Sequence, residues 1–214
     1  MIILVVAKAP VPGLAKTRLC PPATYEQAAD IAAAALLDTL DVVCSVPGAR
    51  PVVAFTGELS NAARGEELRE SLRRTTIVWQ RGETFADRLA NAHADVARGF
   101  PGEPVLQIGM DTPQVTPALL TGAAEQLTDV DAVLGRAADG GWWALGLRDP
   151  RAAEVLRKVP MSRADTGDLT YVALGRLRIG HLPVLSDVDT MEDAQRVAAQ
   201  APHGRFAQLV VGVR

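Results

Sequence analysis

The chain has 214 residues, 48% of them hydrophobic and 22% charged, which suits one globular domain with a substantial core and excludes a disordered or fibrous polymer. Its 22 Lys and Arg against 25 Asp and Glu leave a net charge of −3, so no basic surface for a nucleic-acid backbone is evident and nucleic acid is not an expected partner. Cys20 and Cys44 are too few for a disulfide framework and lack metal-site spacing, and no apolar run is long enough for a signal peptide or a membrane span; the expected compartment is cytoplasmic, with no membrane contact.

Residues 2–6, Ile-Ile-Leu-Val-Val, read as a strand buried on both faces, as in a parallel sheet. The carboxyl ends of such strands are where open α/β sheets hold ligands. The loop that follows, from Ala7-Lys8-Ala9-Pro10 to Lys16-Thr17-Arg18-Leu19, is therefore well placed. Pro10 and Pro12 stiffen it, Gly13 can take φ > 0 or admit a ligand to the backbone, and Lys16, Thr17 and Arg18 supply donors near a helix start. It has the outline of a polyanion cradle, although it matches neither the P-loop nor the dinucleotide fingerprint, and a Pro-rich turn with two solvated cations is the plain alternative.

An Ala-rich helix over 25–44 follows, then a strand at 51–55, a charged helix over 61–73, a strand at 76–79, a loop at 80–83 and a helix over 85–98. This alternation of strand and helix is the pattern of an α/β fold. The fourth strand, 104–108, ends in Gly109-Met110-Asp111-Thr112-Pro113, which brings a carboxylate to the carboxyl edge of the sheet. Thr116-Pro117 then caps a helix over 117–127. Strands at 132–135 and 142–147 flank Asp139-Gly140-Gly141, where two glycines let the backbone lie flat against a ligand. Trp142 and Trp143 point to opposite faces, one into the core and one toward a pocket. A short helix over 152–158 leads to an irregular polar segment, 161–167, with the character of a lid or acceptor loop, and a helix over 168–177 follows. The strand at 178–185 delivers Asp187 and Asp189 just before a helix capped by Thr190 and Asp193. The apolar tail at 206–213 reads as strand-like, so residues 203–214 are expected to cover the sheet edge or a partner subunit, with a homodimer left open. No repeat or linker divides the chain, and residues 1–214 read as one domain.

Three acidic groups on two loops, with a cationic first loop, form a constellation more specific than any member. Carboxylate oxygens are hard ligands suited to Mg²⁺ or Mn²⁺ bridging nucleotide phosphates. His93, His181 and His203 are scattered and support no Ser-His-Asp arrangement.

Four motifs, residues 7–19, 108–113, 139–147 and 187–193, resemble those of a family of small GT-A-fold transferases, usually described as glycosyltransferases, some of arsenosugar biosynthesis beside radical-SAM enzymes. That family is similar to the molybdenum-cofactor and 2-phospholactate guanylyltransferases, and the resemblance covers about residues 2 to 200. It implies a three-layer α/β/α Rossmann-like nucleotide-diphospho-sugar transferase (GT-A) fold with a mostly parallel mixed sheet. It implies that Lys16 and Arg18 hold nucleotide phosphates, that Asp111 binds the metal, that Asp189 is a second carboxylate and Asp187 a weaker ligand. The expected catalytic set is Lys16, Arg18 and Asp111, and the expected substrate-binding set is Ala7, Lys8, Ala9, Gly13, Gly82, Arg88, Asp139, Gly140, Gly141 and Trp142. The chain departs from the family pattern at Thr84-Phe85-Ala86, at Trp142 and Trp143, and at Met161-Ser162-Arg163-Ala164. The expected activity is nucleotidyl transfer from a nucleoside triphosphate to a small anionic acceptor. Glycosyl transfer from a nucleotide-sugar is the alternative, and a nucleotide-binding protein without catalysis is a third reading that intact Asp111 and Asp189 argue against.

Overall fold

The computed structural model describes residues 1–213; Arg214, the last residue of the expected tail, lies outside them. Seven strands form one sheet: β1 (Ile2–Lys8), β2 (Arg50–Thr56), β3 (Thr76–Trp79), β4 (Val105–Gly109), β5 (Ala132–Ala137), β6 (Trp142–Leu147) and β7 (Ile179–Leu185). Their order is β3-β2-β1-β4-β6-β5-β7. All neighbours are parallel except β6, which runs antiparallel to both β4 and β5. The sheet is thus mixed and mostly parallel, with covering helices on both faces as parallel strands require.

The alternation of β1 divides the core. Ile3, Val5 and Ala7 face one apolar cluster, shared with helices α1 (Tyr25–Ser45), α2 (Gly65–Leu72) and α4 (Pro117–Asp129). Ile2, Leu4 and Val6 face the other, shared with α3 (Phe85–Gly99) and a 3-10 helix, Pro150–Lys158. Leu174 and Leu177, which follow helix α5 (Thr166–Ala173), join that second cluster. The fold is the expected three-layer α/β/α arrangement, with one addition: α6 (Met191–Gln200) and α7 (Arg205–Gly212) pack on the outer side of α1 through Ile31, Val197, Phe206 and Val210. Helix α1 is therefore buried on two sides, which is why its alanines run almost all the way round it.

The tail corrects the expected strand. Residues 205–212 are helical, with Phe206, Ala207 and Val210 buried at helical spacing against α1 and α6. The carboxylate of Asp38 accepts the backbone N–H groups of Arg205 and Phe206 at 3.2 and 2.9 Å, satisfying the helix start from a residue far away in sequence. Three helices are also displaced from their expected limits: α2 is shorter than 61–73, residues 152–158 are 3-10, and α5 begins at Thr166. No helix among the described residues is long and apolar enough to cross a membrane.

Candidate active site

The parallel strands β1 and β4 end side by side, and so do the loops that leave them. Lys16, at the start of a short 3-10 helix (Thr17–Leu19), has left-handed backbone angles of φ 48° and ψ 39°, an uncommon state for a residue with a Cβ. The loop after β7 is tied to the loop after β4: the Val188 N–H donates to the Asp111 carbonyl at 3.0 Å, and the Gln114 side-chain amide donates to the Ser186 carbonyl at 2.7 Å. The capping box of Thr190 and Asp193 then fixes the exit into α6. These backbone ties bring Asp111, Asp187 and Asp189 to one place.

A cleft of about 590 Å³ opens there, lined by Arg18, Asp111, Asp139, Gly141, Trp142, Asp187 and Asp189 among others. The ammonium of Lys16 sits 3.0 Å from Asp111 Oδ2 and 3.2 Å from Asp189 Oδ1, and Arg18 reaches Asp189 Oδ2 at 3.2 Å. The Lys16 side chain is only 13% exposed. Burial pulls its pKa down, but the two carboxylates outweigh burial and hold it above the ordinary lysine value. Asp187 moves the other way for a carboxyl: burial first, then the charges of Asp111, Asp139 and Asp189, push it up to about 7 against the pull of Lys16. The site thus carries a surplus of negative charge.

That surplus, and the hard oxygen donors that make it, fit a divalent cation of the Mg²⁺ or Mn²⁺ type. No three His, Cys, Asp or Glu side chains among the described residues stand close enough to cage an ion by themselves. Mg²⁺ is usually held by one or two carboxylates together with substrate phosphates, so a full protein cage is not required. Asp111 and Asp189 both contact the Lys16 ammonium.

The other expected residues divide. Ala7, Lys8, Ala9, Gly13, Gly82, Arg88 and Gly140 do not line this cleft. Ala7 and Ala9 are buried, and the Lys8 ammonium turns back to the Leu14 carbonyl at 3.2 Å. Arg88 donates to the Gly82 carbonyl at 3.4 Å, closing the loop after β3 on itself. Gly140 packs against a neighbouring segment, whereas Gly141 lines the cleft. Gly140, at φ 91°, lies on the backbone of Ala164, where a Cβ would run into the Ala164 carbonyl, and its own carbonyl accepts the Gly167 N–H at 2.8 Å. Gly141 donates its N–H to Asp139 Oδ1 at 2.8 Å, which orients that carboxylate. The two tryptophans separate as expected: Trp143 is in the core, its indole N–H on the Pro183 carbonyl at 2.9 Å, though its edge reaches the cleft. Trp142 walls the cleft and donates to Thr170 Oγ1 at 3.1 Å.

Several cleft residues were not singled out from sequence. Phe85, Leu89, Val6 and Met110 add apolar lining to the cleft. Gln107 lines the cleft from β4 and is fixed from behind by His93 of α3, Nε2 to Oε1 2.9 Å. Its signal was a single polar residue inside the apolar run Val105-Leu106-Gln107-Ile108. The segment 161–167, expected as a lid or acceptor loop, lines the cleft with Met161, Ser162, Arg163, Ala164 and Thr166.

A family model described as "Uncharacterized protein conserved in bacteria (DUF2064)" matches residues 39–163. No curated protein matches the chain. Among solved structures, a candidate nucleotide-diphospho-sugar transferase from Desulfovibrio desulfuricans is similar over 99% of this chain and 94% of its own, at 24% identity and a TM-score of 0.86. The Rv0371c protein of Mycobacterium tuberculosis, solved in complex with manganese, aligns over 92% of this chain and 97% of its own at 24% identity and a TM-score of 0.54. The 4-diphosphocytidyl-2C-methyl-D-erythritol synthase of Anaerococcus prevotii aligns over 95% and 96% at 13% identity and a TM-score of 0.60. At these identities the likeness is one of fold, the nucleotide-diphospho-sugar transferase type.

Proposed function

The chain belongs to the DUF2064 family, and from that premise we propose that it is a metal-dependent nucleotidyltransferase that joins a nucleoside triphosphate to a small phosphorylated or otherwise anionic acceptor and releases pyrophosphate. The observation that carries this reading is the meeting of Lys16 and Arg18 with Asp111 and Asp189 at the carboxyl edge of the sheet. Two cations suit a polyphosphate, and two hard carboxylates suit its metal. Asp111 and Asp189 are the residues to hold that cation, with Asp187 as a further donor. When bound, it supplies neutralisation of the phosphate charge.

Lys16 and Arg18 exchange their carboxylate partners for phosphate oxygens and hold the triphosphate. An acceptor oxygen attacks the α-phosphorus; a new P–O bond forms while the bond to the α–β bridging oxygen breaks, and its electron pair leaves on pyrophosphate. No protein nucleophile takes part, so the protein acts by positioning and by stabilising charge on the phosphoryl oxygens. Segment 161–167, which lines the cleft, is the acceptor side of this scheme.

One observation favours glycosyl transfer as the second reading. Phe85 and Trp142 put aromatic surface on the cleft wall, which suits the apolar face of a sugar ring. Incubating the protein and Mg²⁺ or Mn²⁺ with separate nucleoside triphosphates and nucleotide-sugars, with and without cell extract, separates the two by mass spectrometry. Pyrophosphate is the expected product. Nucleoside diphosphate formed only with a nucleotide-sugar and an acceptor identifies glycosyl transfer, and binding without turnover across a wide acceptor panel identifies a nucleotide-binding protein.

A further inference from the structure

We infer that Lys16 is a built-in stand-in for the metal ion, so that the site takes a divalent cation and a polyphosphate together and takes neither well alone. The inference rests on the metal–nucleotide reading above. Its ground is where the Lys16 ammonium lies. It bridges Asp111 Oδ2 and Asp189 Oδ1, the two carboxylates assigned to the ion, at 3.0 and 3.2 Å. Arg18 occupies the remaining oxygen of Asp189 at 3.2 Å. An added cation cannot share both carboxylates with an ammonium already at hydrogen-bond distance from each, because the two positive charges would stand against one another.

The contact is a built feature of the loop. The Lys16 side chain is 13% exposed, and its backbone is held at a positive φ of 48°. A freely solvated lysine has no reason to adopt either. A bare cation must therefore expel Lys16 from its two partners, and a bare polyphosphate must draw Lys16 away and leave two carboxylates facing each other beside Asp187 and Asp139. When both arrive the exchange is balanced: the carboxylates gain the cation and the ammonium gains phosphate oxygens. Each ligand then raises the affinity for the other by the same factor, as linkage requires.

A lysine that gripped phosphate while standing clear of the two carboxylates would leave the binding of a bare ion nearly unchanged, so the two arrangements predict different results. Mn²⁺ alone is titrated into wild type, Lys16→Gln and Lys16→Ala by calorimetry and by the electron paramagnetic resonance of free Mn²⁺, then again with saturating ATP, CTP, GTP or UTP. Both variants are expected to bind Mn²⁺ alone at least tenfold more tightly than wild type, and the tightening of Mn²⁺ by nucleotide is expected to shrink at least tenfold. Lys16→Gln preserves the length of the side chain, so a folding defect in the alanine variant leaves the comparison in place. Arg18→Ala frees one oxygen of Asp189 only and is expected to gain less. Equal or weaker binding of bare Mn²⁺ by both Lys16 variants, with wild type still binding Mn²⁺ and nucleotide together, overturns the inference and leaves the proposed function standing. Absence of Mn²⁺ binding by every protein, with or without nucleotide, overturns the metal–nucleotide reading and this inference with it.

Discussion

Acidification should weaken this fold through one side chain behind the cleft. His93 is fully buried on α3, with Nε2 hydrogen-bonded to Gln107 Oε1 at 2.9 Å and with Nδ1 lacking any partner. Burial pushes its pKa down from 6.5 to about 4, against the smaller upward pull of Gln107. The folded chain thus holds a neutral imidazole, while the unfolded chain takes up a proton as pH falls below 6.5. A depressed folded pKa means stability that is present above the unfolded value and is lost between about pH 6.5 and 4. Those two values give a loss of about 2 kcal/mol at pH 5 and about 3 kcal/mol below pH 4. The readout is urea unfolding of wild type and His93→Gln at pH 8 and pH 5, since the glutamine amide can still donate to Gln107. Asp187, shifted upward, adds stability over part of the same range, but it is common to both proteins and drops out of their difference. The advantage of wild type over His93→Gln should fall by about 2 kcal/mol between pH 8 and pH 5. A difference that stays flat, together with a histidine resonance titrating near its ordinary pKa, would refute the reasoning.

Asp111→Asn and Asp189→Asn should each cut pyrophosphate formation by at least about 100-fold. Their melting temperatures should stay within a few degrees of wild type, because partly exposed ion pairs contribute only about 0–1 kcal/mol; retained turnover in either variant would exclude it as an essential ligand. Lys16→Ala and Arg18→Ala should each weaken binding of Mn²⁺ and nucleoside triphosphate together by about 1.5–3 kcal/mol. Arg18→Lys should recover only part of the loss, since a planar fork is replaced by a point charge, and calorimetric affinities equal to wild type in both alanine variants would remove the loop from the phosphate site. Gly140→Ala should lower stability by about 1–3 kcal/mol and increase proteolysis within 161–167, because the left-handed backbone and the Ala164 carbonyl leave no room for a Cβ; an unchanged melting temperature and cleavage pattern would contradict that packing.

Strand positions were legible because they are local. The run 2–6 is a short stretch, apolar at every position and rich in branched residues, as a strand covered on both faces requires. Helix α7 was not legible, and the reason is tertiary. Its sequence, Phe206 to Val211, is rich in branched residues that suit a strand equally well. What decides for helix is Asp38, distant in sequence, capping its first turn, and a groove between α1 and α6 that accepts Phe206, Ala207 and Val210. The packing of Gly140 against residues 164–167 was not legible for a similar reason. A flexible backbone next to an Asp serves a ligand or a neighbouring loop equally well, and which one depends on residues 164–167, whose approach no local pattern encodes.

The acids of the site were legible because each follows a strand, and strand ends share an edge. Their pairing was not, because oppositely charged groups sent to one edge can either await separate ligands or neutralise each other. In the free protein the second outcome holds: four carboxylates, Asp111, Asp139, Asp187 and Asp189, surround two cations, and the cations take Asp111 and Asp189. The remaining repulsion adds to burial at Asp187: burial first, then the charges of Asp111, Asp139 and Asp189, push its carboxyl up to about 7. A divalent cation is the charge that would relieve this repulsion, and a polyphosphate is the anion that would draw Lys16 and Arg18 off Asp189. Each ligand of the proposed reaction thus answers the imbalance that binding the other would create. On the proposed reading, the same residues that would select a metal–nucleotide complex also account for the low exposure of Lys16.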